Sequence, residues 1–309
     1  MQTLITGVSG YVGAALVPRL QRDGHAVRGF ARSTARVAAA GVALEDLAIG
    51  DATTGAGLER ALDGVEVAYY LIHSMEGPAT TGAFADVERR QAARFAAAAR
   101  AAGVRRIVYL GGLAPSDGRM SRHLASRLAV EEALLAAAPE SVALRASIVI
   151  GARSRSFRFL VRLVERLPLL ALPAWREHRT QPIDGRDVLE FLAAAATLDA
   201  AHAGRSWDVA GPDAMTYEEL IDGIAEAMLV DRPKIGLNFA LTPVAAVVAA
   251  AVAGEDLGLI GPLMESLEHD LLPRHDGAAA AFGVRLHRFR AALERALREI
   301  EQTEEVAAR

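Results

Sequence analysis

Short apolar runs alternate with amphipathic stretches through the first half of the chain, the arrangement that builds βαβ units and a parallel sheet. Met1 to Thr6 (MQTLIT) reads as a first strand, and Tyr11 to about Arg22 as a helix with Val12, Leu16 and Leu20 on one face. Ala26 to Ala31 reads as the second strand and Ala43 to Ile49 as a weaker third. Val65 to Ile72 (VEVAYYLI) is a fourth, apolar enough to lie centrally. A long helix follows over roughly Thr81 to Ala102, ended by Gly103. Arg106 to Leu110 (RIVYL) is the fifth strand, Ser121 to Ala138 a helix stopped by Pro139, and Val142 to Ile150 the sixth strand. With right-handed crossovers these elements predict an α/β protein built on a doubly wound parallel sheet.

After Gly151 the regularity breaks. An Arg-rich helix over about Ser154 to Leu167 leads into a loop with Pro168, Pro173 and Trp175. A short strand near Thr180 to Ile183 precedes a helix from Gly185, and a strand over Ser206 to Val209 precedes a helix at Thr216, where Thr-Tyr-Glu-Glu spells a capping box. The remainder reads as helices only, a smaller and mostly helical C-terminal part. The apolar run from Phe239 to Ala253 is broken by Pro243. It falls short of the roughly 18 to 20 residues that span a bilayer. A buried or interface-packed helix is expected there, with surface contact to a membrane left open but not favoured.

Composition narrows the function. The 309 residues carry a formal charge of −4 with a pI near 6.1, which argues against holding nucleic acid by bulk charge. No cysteine is present, so disulfides, thiol catalysis and cysteine-based zinc sites are excluded. Met1 opens directly into a strand-like run with no basic leader, so no secretory signal is predicted and a cytoplasmic location is expected. Among the 34 basic residues Lys234 is the single lysine, which leaves lysine-dependent chemistry one candidate.

Gly7-Val8-Ser9-Gly10-Tyr11-Val12-Gly13 is a G-x-x-G-x-x-G run between a predicted strand and a predicted helix. Gly7 permits the sharp turn, Gly10 lets the main chain approach a pyrophosphate, and Gly13 allows close packing of helix on sheet. The helix start then offers unpaired N–H groups and a positive dipole end to the anion. A Rossmann-type dinucleotide-binding domain over 1–150 is therefore expected. A substrate-capping part over 151–309 would interleave with the core near 180–210. The second strand runs into Phe30-Ala31-Arg32-Ser33 with no acid where NAD sites usually place one. Arg32 with Ser33 would clamp a 2′-phosphate, so NADP (NADPH) is expected over NAD. Asp51, with Ala52 after it, is placed to bond the adenine amine or simply to shape a turn.

TGVSGYVG, GDAT, YYLIHSM, RIVYLGGL, SRHLASRLAVEEAL, LRASIVIG and QPIDGRDVLEFL together resemble the short-chain dehydrogenase/reductase superfamily. The resemblance is to its atypical NmrA-like, NAD-dependent epimerase-dehydratase-like branch, and it covers the chain to about residue 200. It implies that Leu71, Ile72 and His73 lie beside the cofactor and that Ala146 to Ile148 border the nicotinamide. It also implies structural rather than catalytic roles for Asp184 and Asp187.

The chain departs from that pattern at its chemical centre. Such reductases use a Tyr-x-x-x-Lys pair, and none of Tyr11, Tyr69, Tyr70, Tyr109 and Tyr217 has lysine four residues later. At the matching helix His123 and Arg127 hold the same spacing, one turn apart on one face. His123 would exchange the proton and Arg127 would bond the nicotinamide ribose, or the two would cap and contact without chemistry. Gly111-Gly112 stand where the family has its serine. Arg155, Arg158, Arg162 and Arg166 form a basic stripe, read as a solvated face, with an acidic partner, an anionic lipid surface or a substrate anion as alternatives. Trp175 and Arg176 read as a substrate lid or as packing. The predicted protein is an NADP(H)-binding atypical reductase acting on a small, fairly apolar carbonyl or conjugated substrate. The alternative is a non-catalytic, nucleotide-responsive regulatory or assembly protein. The sequence does not specify an oligomeric state.

Overall fold

The computed structural model describes residues 1–72, 83–115, 120–237, 261, 264 and 266–304. The strands β1 (Gln2–Thr6), β2 (Ala26–Ala31), β3 (Asp46–Ile49), β4 (Val67–Tyr70), β5 (Arg106–Gly112) and β6 (Val142–Ala146) all lie in one sheet. The helices between them are α1 (Tyr11–Arg22), α2 (Thr34–Ala39), α3 (Leu58–Leu62), α4 (Ala83–Ala101) and α5 (Arg122–Leu135). Every neighbouring pair in the sheet runs parallel. The short helices α2 and α3 carry too little periodic sequence to have been predicted.

Alternation along each strand sends side chains to opposite faces. Ile5, Val67, Tyr69, Val108, Val142 and Leu144 pack on one side beneath α1. Leu4, Ala68, Tyr70, Ile107, Tyr109 and Ala143 pack on the other beneath α4 and α5. Burying each such aliphatic or aromatic side chain contributes roughly 1.5 to 3 kcal/mol, so the two-sided sheet carries much of the stability.

The predicted sixth strand does not run unbroken. β6 ends at Ala146, and β7 (Val149–Ile150) pairs instead with β10 (Ile183–Asp184). The partners change at the break: the Ala146 carbonyl accepts from the Leu113 amide, while the Ile148 carbonyl accepts from the Ile183 amide. Ser147 and Thr180 bond through their hydroxyls at 3.0 Å. The predicted strand near Thr180 divides likewise, Arg179–Thr180 being β9 and pairing with β12 (Met215–Thr216), because Pro182 between them has no N–H to give.

Beyond β7 come α6 (Arg155–Arg166), β8 (Leu170–Leu172), α7 (Gly185–Ala195), β11 (Arg205–Val209), α8 (Tyr217–Ala227), β13 (Lys234–Gly236), α9 (Ala278–Phe282) and α10 (Phe289–Glu301). β11 returns to pair with β6 and makes the sheet seven-stranded, in the order β11-β6-β5-β4-β1-β2-β3. The capping box at α8 forms as the sequence predicts, with Thr216 and Glu219 bonding each other's amides. A separate core gathers α6, α8 and α10 around Phe157, Leu160, Trp175, Tyr217 and Leu297. Among the described residues no helix is long and apolar enough to cross a membrane; the 239–253 run lies outside them.

Arg106 joins the layers. Its side chain is buried, and it donates to the carbonyls of Ala195, Ala196 and Leu198 at the end of α7 and to Glu140 at 2.6 Å. Burial pulls its pKa below the ordinary arginine value against the support of Glu140. Arg106→Met strips these carbonyls and the carboxylate of their donor. It should cost about 3 to 5 kcal/mol, read as a lower midpoint in chemical denaturation without a change in slope.

Candidate functional site

The carboxyl ends of the strands share one edge, and β1 sits between β2 and β4, where the strand order reverses. Open α/β sheets receive ligands at this switch point. Gly7 leaves β1 with a φ of +66°, and a Cβ there would stand 2.6 Å from the Leu71 carbonyl oxygen. Only glycine lets the loop nest against the tail of β4. The Gly10 amide donates to the Gly7 carbonyl at 2.9 Å, closing the turn, and a Cβ on Gly13 would overlap that same carbonyl. Gly10 is the N-cap of α1 and supplies no side-chain cap, so the first-turn amides of Tyr11, Val12 and Gly13 stand at an uncapped, positive helix end. This cradle fits a pyrophosphate.

Thr6 holds the two sides together and was missed in the sequence. Its buried hydroxyl donates to the Tyr69 carbonyl at 2.9 Å and accepts from the Leu71 amide at 3.1 Å. A threonine as the last strand residue before the glycines was the signal available. Ser9 is half-buried in the turn, and Leu71 and Ile72 are half-buried beyond β4, with their backbone beside Gly7. His73 lies outside the described residues.

The loop after β3 forms the second rim. A Cβ on Gly50 would meet the Phe30 ring at 2.6 Å. Asp51 accepts from the Thr53 amide at 2.7 Å, so one carboxylate oxygen shapes its own loop. Ala52 is buried against the α3 and α4 layer. At the end of β2 the Arg32 side chain is exposed, and Ser33 starts α2 without a side-chain cap bond.

His123 and Arg127 both lie on α5, whose N-cap Ser121 accepts from the Leu124 amide at 3.2 Å and bonds Ser266 at 3.1 Å. That second bond brings the C-terminal part over the end of α5. His123 is half-buried. Arg127 reaches toward Glu88 of α4 at 3.6 Å, and Glu88, 3% exposed, also accepts from Ser126 at 2.8 Å. Burial opposes the Arg127 charge, but Tyr109, Glu88 and Tyr70 outweigh it and hold the guanidinium above its ordinary pKa. Glu88 and Ser126 went unnoticed in the sequence, because their pairing crosses from α4 to α5.

Other candidates belong to the scaffold. Trp175 is buried against Tyr217 with ring centroids 6.1 Å apart, and Arg176 donates to the Leu237 carbonyl at 2.9 Å, so both pack rather than form a loose lid. Arg158 and Arg162 share the Glu304 carboxylate, so the basic stripe is partly neutralised by its own chain. Lys234 is held by Asp222 at 2.6 Å.

Comparison with known proteins agrees with this geometry. Residues 7–147 match a family described as NAD(P)H-binding. The (4-alkanoyl-5-oxo-2,5-dihydrofuran-3-yl)methyl phosphate reductase of Streptomyces griseus is 30% identical over 223 residues, 70% of this chain and 70% of its own length. The chain belongs to the NAD(P)H-binding Rossmann family. A ceramide reductase of Caulobacter vibrioides is 29% identical, covering 72% of this chain and 69% of the relative. A mitochondrial protein of Arabidopsis thaliana, NADH dehydrogenase [ubiquinone] 1 alpha subcomplex subunit 9, is 30% identical over 48% of this chain, but the match spans only 36% of that protein.

Among solved structures, UDP-glucuronic acid 4-epimerase from Bacillus cereus, holding UDP-glucuronic acid and NAD, superposes with a TM-score of 0.74 at 15% identity. That match covers 98% of this chain and 100% of the epimerase. A short-chain dehydrogenase/reductase superfamily protein from Agrobacterium tumefaciens with bound NAD gives 0.61 at 21% identity, over 86% of this NAD(P)H-binding protein and 97% of the other. Both share the fold.

These bound dinucleotides correct the cofactor expectation. The structures of this fold that are named with a dinucleotide hold NAD, which argues against the expected preference for NADP. Arg32, exposed just past the end of β2, is the residue on which that expectation rested.

Burial raises the pKa of all five tyrosines above the ordinary 10.0, Tyr11 to about 12. None is an activated acid at neutral pH. Because the folded values lie above the unfolded one, ionisation favours the unfolded chain. The tyrosines' contribution to stability is intact below about pH 10 and is lost as pH climbs toward the folded values. Absorbance near about 295 nm at about pH 11 should show little tyrosinate in the folded protein and nearly full ionisation once denatured.

Proposed function

We propose that this protein binds NAD(H) and moves hydride to or from a carbonyl or conjugated group on a small, largely apolar substrate held beneath its C-terminal part. The observation that carries this reading is the cradle of Gly7, Gly10 and Gly13 at the switch point, where any Cβ on Gly7 or Gly13 would fill the space against main chain. NAD(H), when bound, supplies the hydride chemistry. The amides of Tyr11, Val12 and Gly13 would hold its pyrophosphate, and the backbone of Leu71 and Ile72 would border its ribose. That two relatives bear reductase names supports the direction toward reduction.

The chain's own acid–base group must replace the missing Tyr-x-x-x-Lys pair. His123 serves as proton donor in this reading, since imidazole titrates near neutrality unaided. Arg127, one turn along α5 and kept charged in its buried setting, orients the ribose hydroxyls. A second reading has a specific observation in its favour. Every tyrosine is pushed away from activation and Lys234 is engaged by α8, which suits a protein that binds the dinucleotide and signals occupancy without turnover.

Calorimetry should detect NAD(H) binding to the purified protein, and NADH consumption should follow with some members of a panel of aliphatic ketones and enones. His123→Ala should then lower turnover by about 100-fold while leaving NADH affinity unchanged. Undiminished turnover removes His123 from the reaction. NADH binding with no consumption across the panel supports the second reading.

A further inference from the structure

Tyr11 is the first residue of α1, so its amide belongs to the phosphate cradle, and its side chain reaches Gly151 and Gly185. The phenol is lodged where two chain segments of the C-terminal half emerge side by side. A Cβ on Gly151, just after β7, would overlap the Tyr11 hydroxyl and stand 2.9 Å from Cζ. A Cβ on Gly185, the first residue of α7, would also overlap the hydroxyl but stand 3.4 Å from Cζ. β7 and β10 pair directly before these two glycines, through Asp184 and Ile150. Asp184 is in turn bound by Arg186 at 2.7 Å and by Arg295 of α10 at 2.8 Å, so the slot is braced from the far end of the chain.

We propose that the Tyr11 side chain is a positioning residue for the phosphate loop, held by Gly151 and Gly185 so that the first-turn amides of α1 face the dinucleotide. This rests on the NAD(H) reading of the site. Charge-assisted hydrogen bonds are short and directional, so a small shift of the α1 start loses them even when the fold survives. The C-terminal half thereby sets the geometry of a loop that its own sequence does not contain. Burial, which pushes the Tyr11 phenol up to about 12 against the opposing charge of Arg295, agrees with a side chain packed into this slot.

Calorimetric titration of the full chain with NAD, with the melting temperature measured on every variant, tests the role. Gly185→Ala should weaken NAD binding about tenfold, the loss of one charge-assisted bond. Adding Tyr11→Phe removes the overlapping hydroxyl and should restore affinity to within about threefold of wild type. Gly151→Ala should weaken binding similarly, but Tyr11→Phe should restore it only in part, because Cζ remains at 2.9 Å. If Gly185→Ala binds NAD as wild type does, or the double variant stays as weak as the single, the positioning role is overturned. Wild type giving no heat with NAD would overturn the site reading itself and the positioning role along with it.

Discussion

The nesting of the Gly7 turn against the Leu71 carbonyl is the contact on which the site depends. Two neighbouring parallel strands end side by side, and their chains must part to opposite sides of the sheet. The loop after β1 can approach β4 so closely only because Gly7 has no side chain. Thr6 then bonds the β4 main chain twice, fixing one loop to the other. An anion placed there meets a positive helix end instead of a methyl group, which is why binding belongs to this edge and not elsewhere on the sheet.

The second constraint is electrostatic and lies at the seam with the C-terminal part. Asp184 and Asp187 are both fully buried carboxylates, and each is met from the far end of the chain. Asp184 takes the α7 N-cap bond from Arg186 and an ion pair from Arg295. Burial opposes its charge, yet Arg186 and Arg295 keep its pKa below the usual carboxylate range. Asp187 accepts from the amide of His287 at 2.8 Å and contacts its ring nitrogen. Removing one partner of such a buried pair costs more than the pair itself contributes, so the seam resists piecemeal change. The resemblance had implied structural roles for these residues, and the geometry accounts for them without chemistry.

Between α4 and α5 a third polar group has a different character. Glu88, Ser126 and Arg127 meet beside Tyr70 and Tyr109 in an otherwise apolar layer. The arrangement holds a cation between α4 and α5, and a buried polar network of this kind is specific about position. The reductase reading uses that cation to orient the cofactor's ribose.

Much of this was legible in the chain itself. Period-two and period-3.6 patterns are local consequences of burial, so β1, α1, β4, β5, α5 and the capping box of α8 could be located by reading alone. Glycine spacing located the phosphate loop for the same reason, since backbone permissiveness belongs to the residue. What the sequence could not determine depends on partners distant along the chain. The break after Ala146, the return of β11 beside β6, the Glu88 contact with Arg127 and the slot for Tyr11 each join segments that no local pattern links. The cofactor expectation built on Arg32 was likewise a local reading, and the NAD held by proteins of the same fold argues against it.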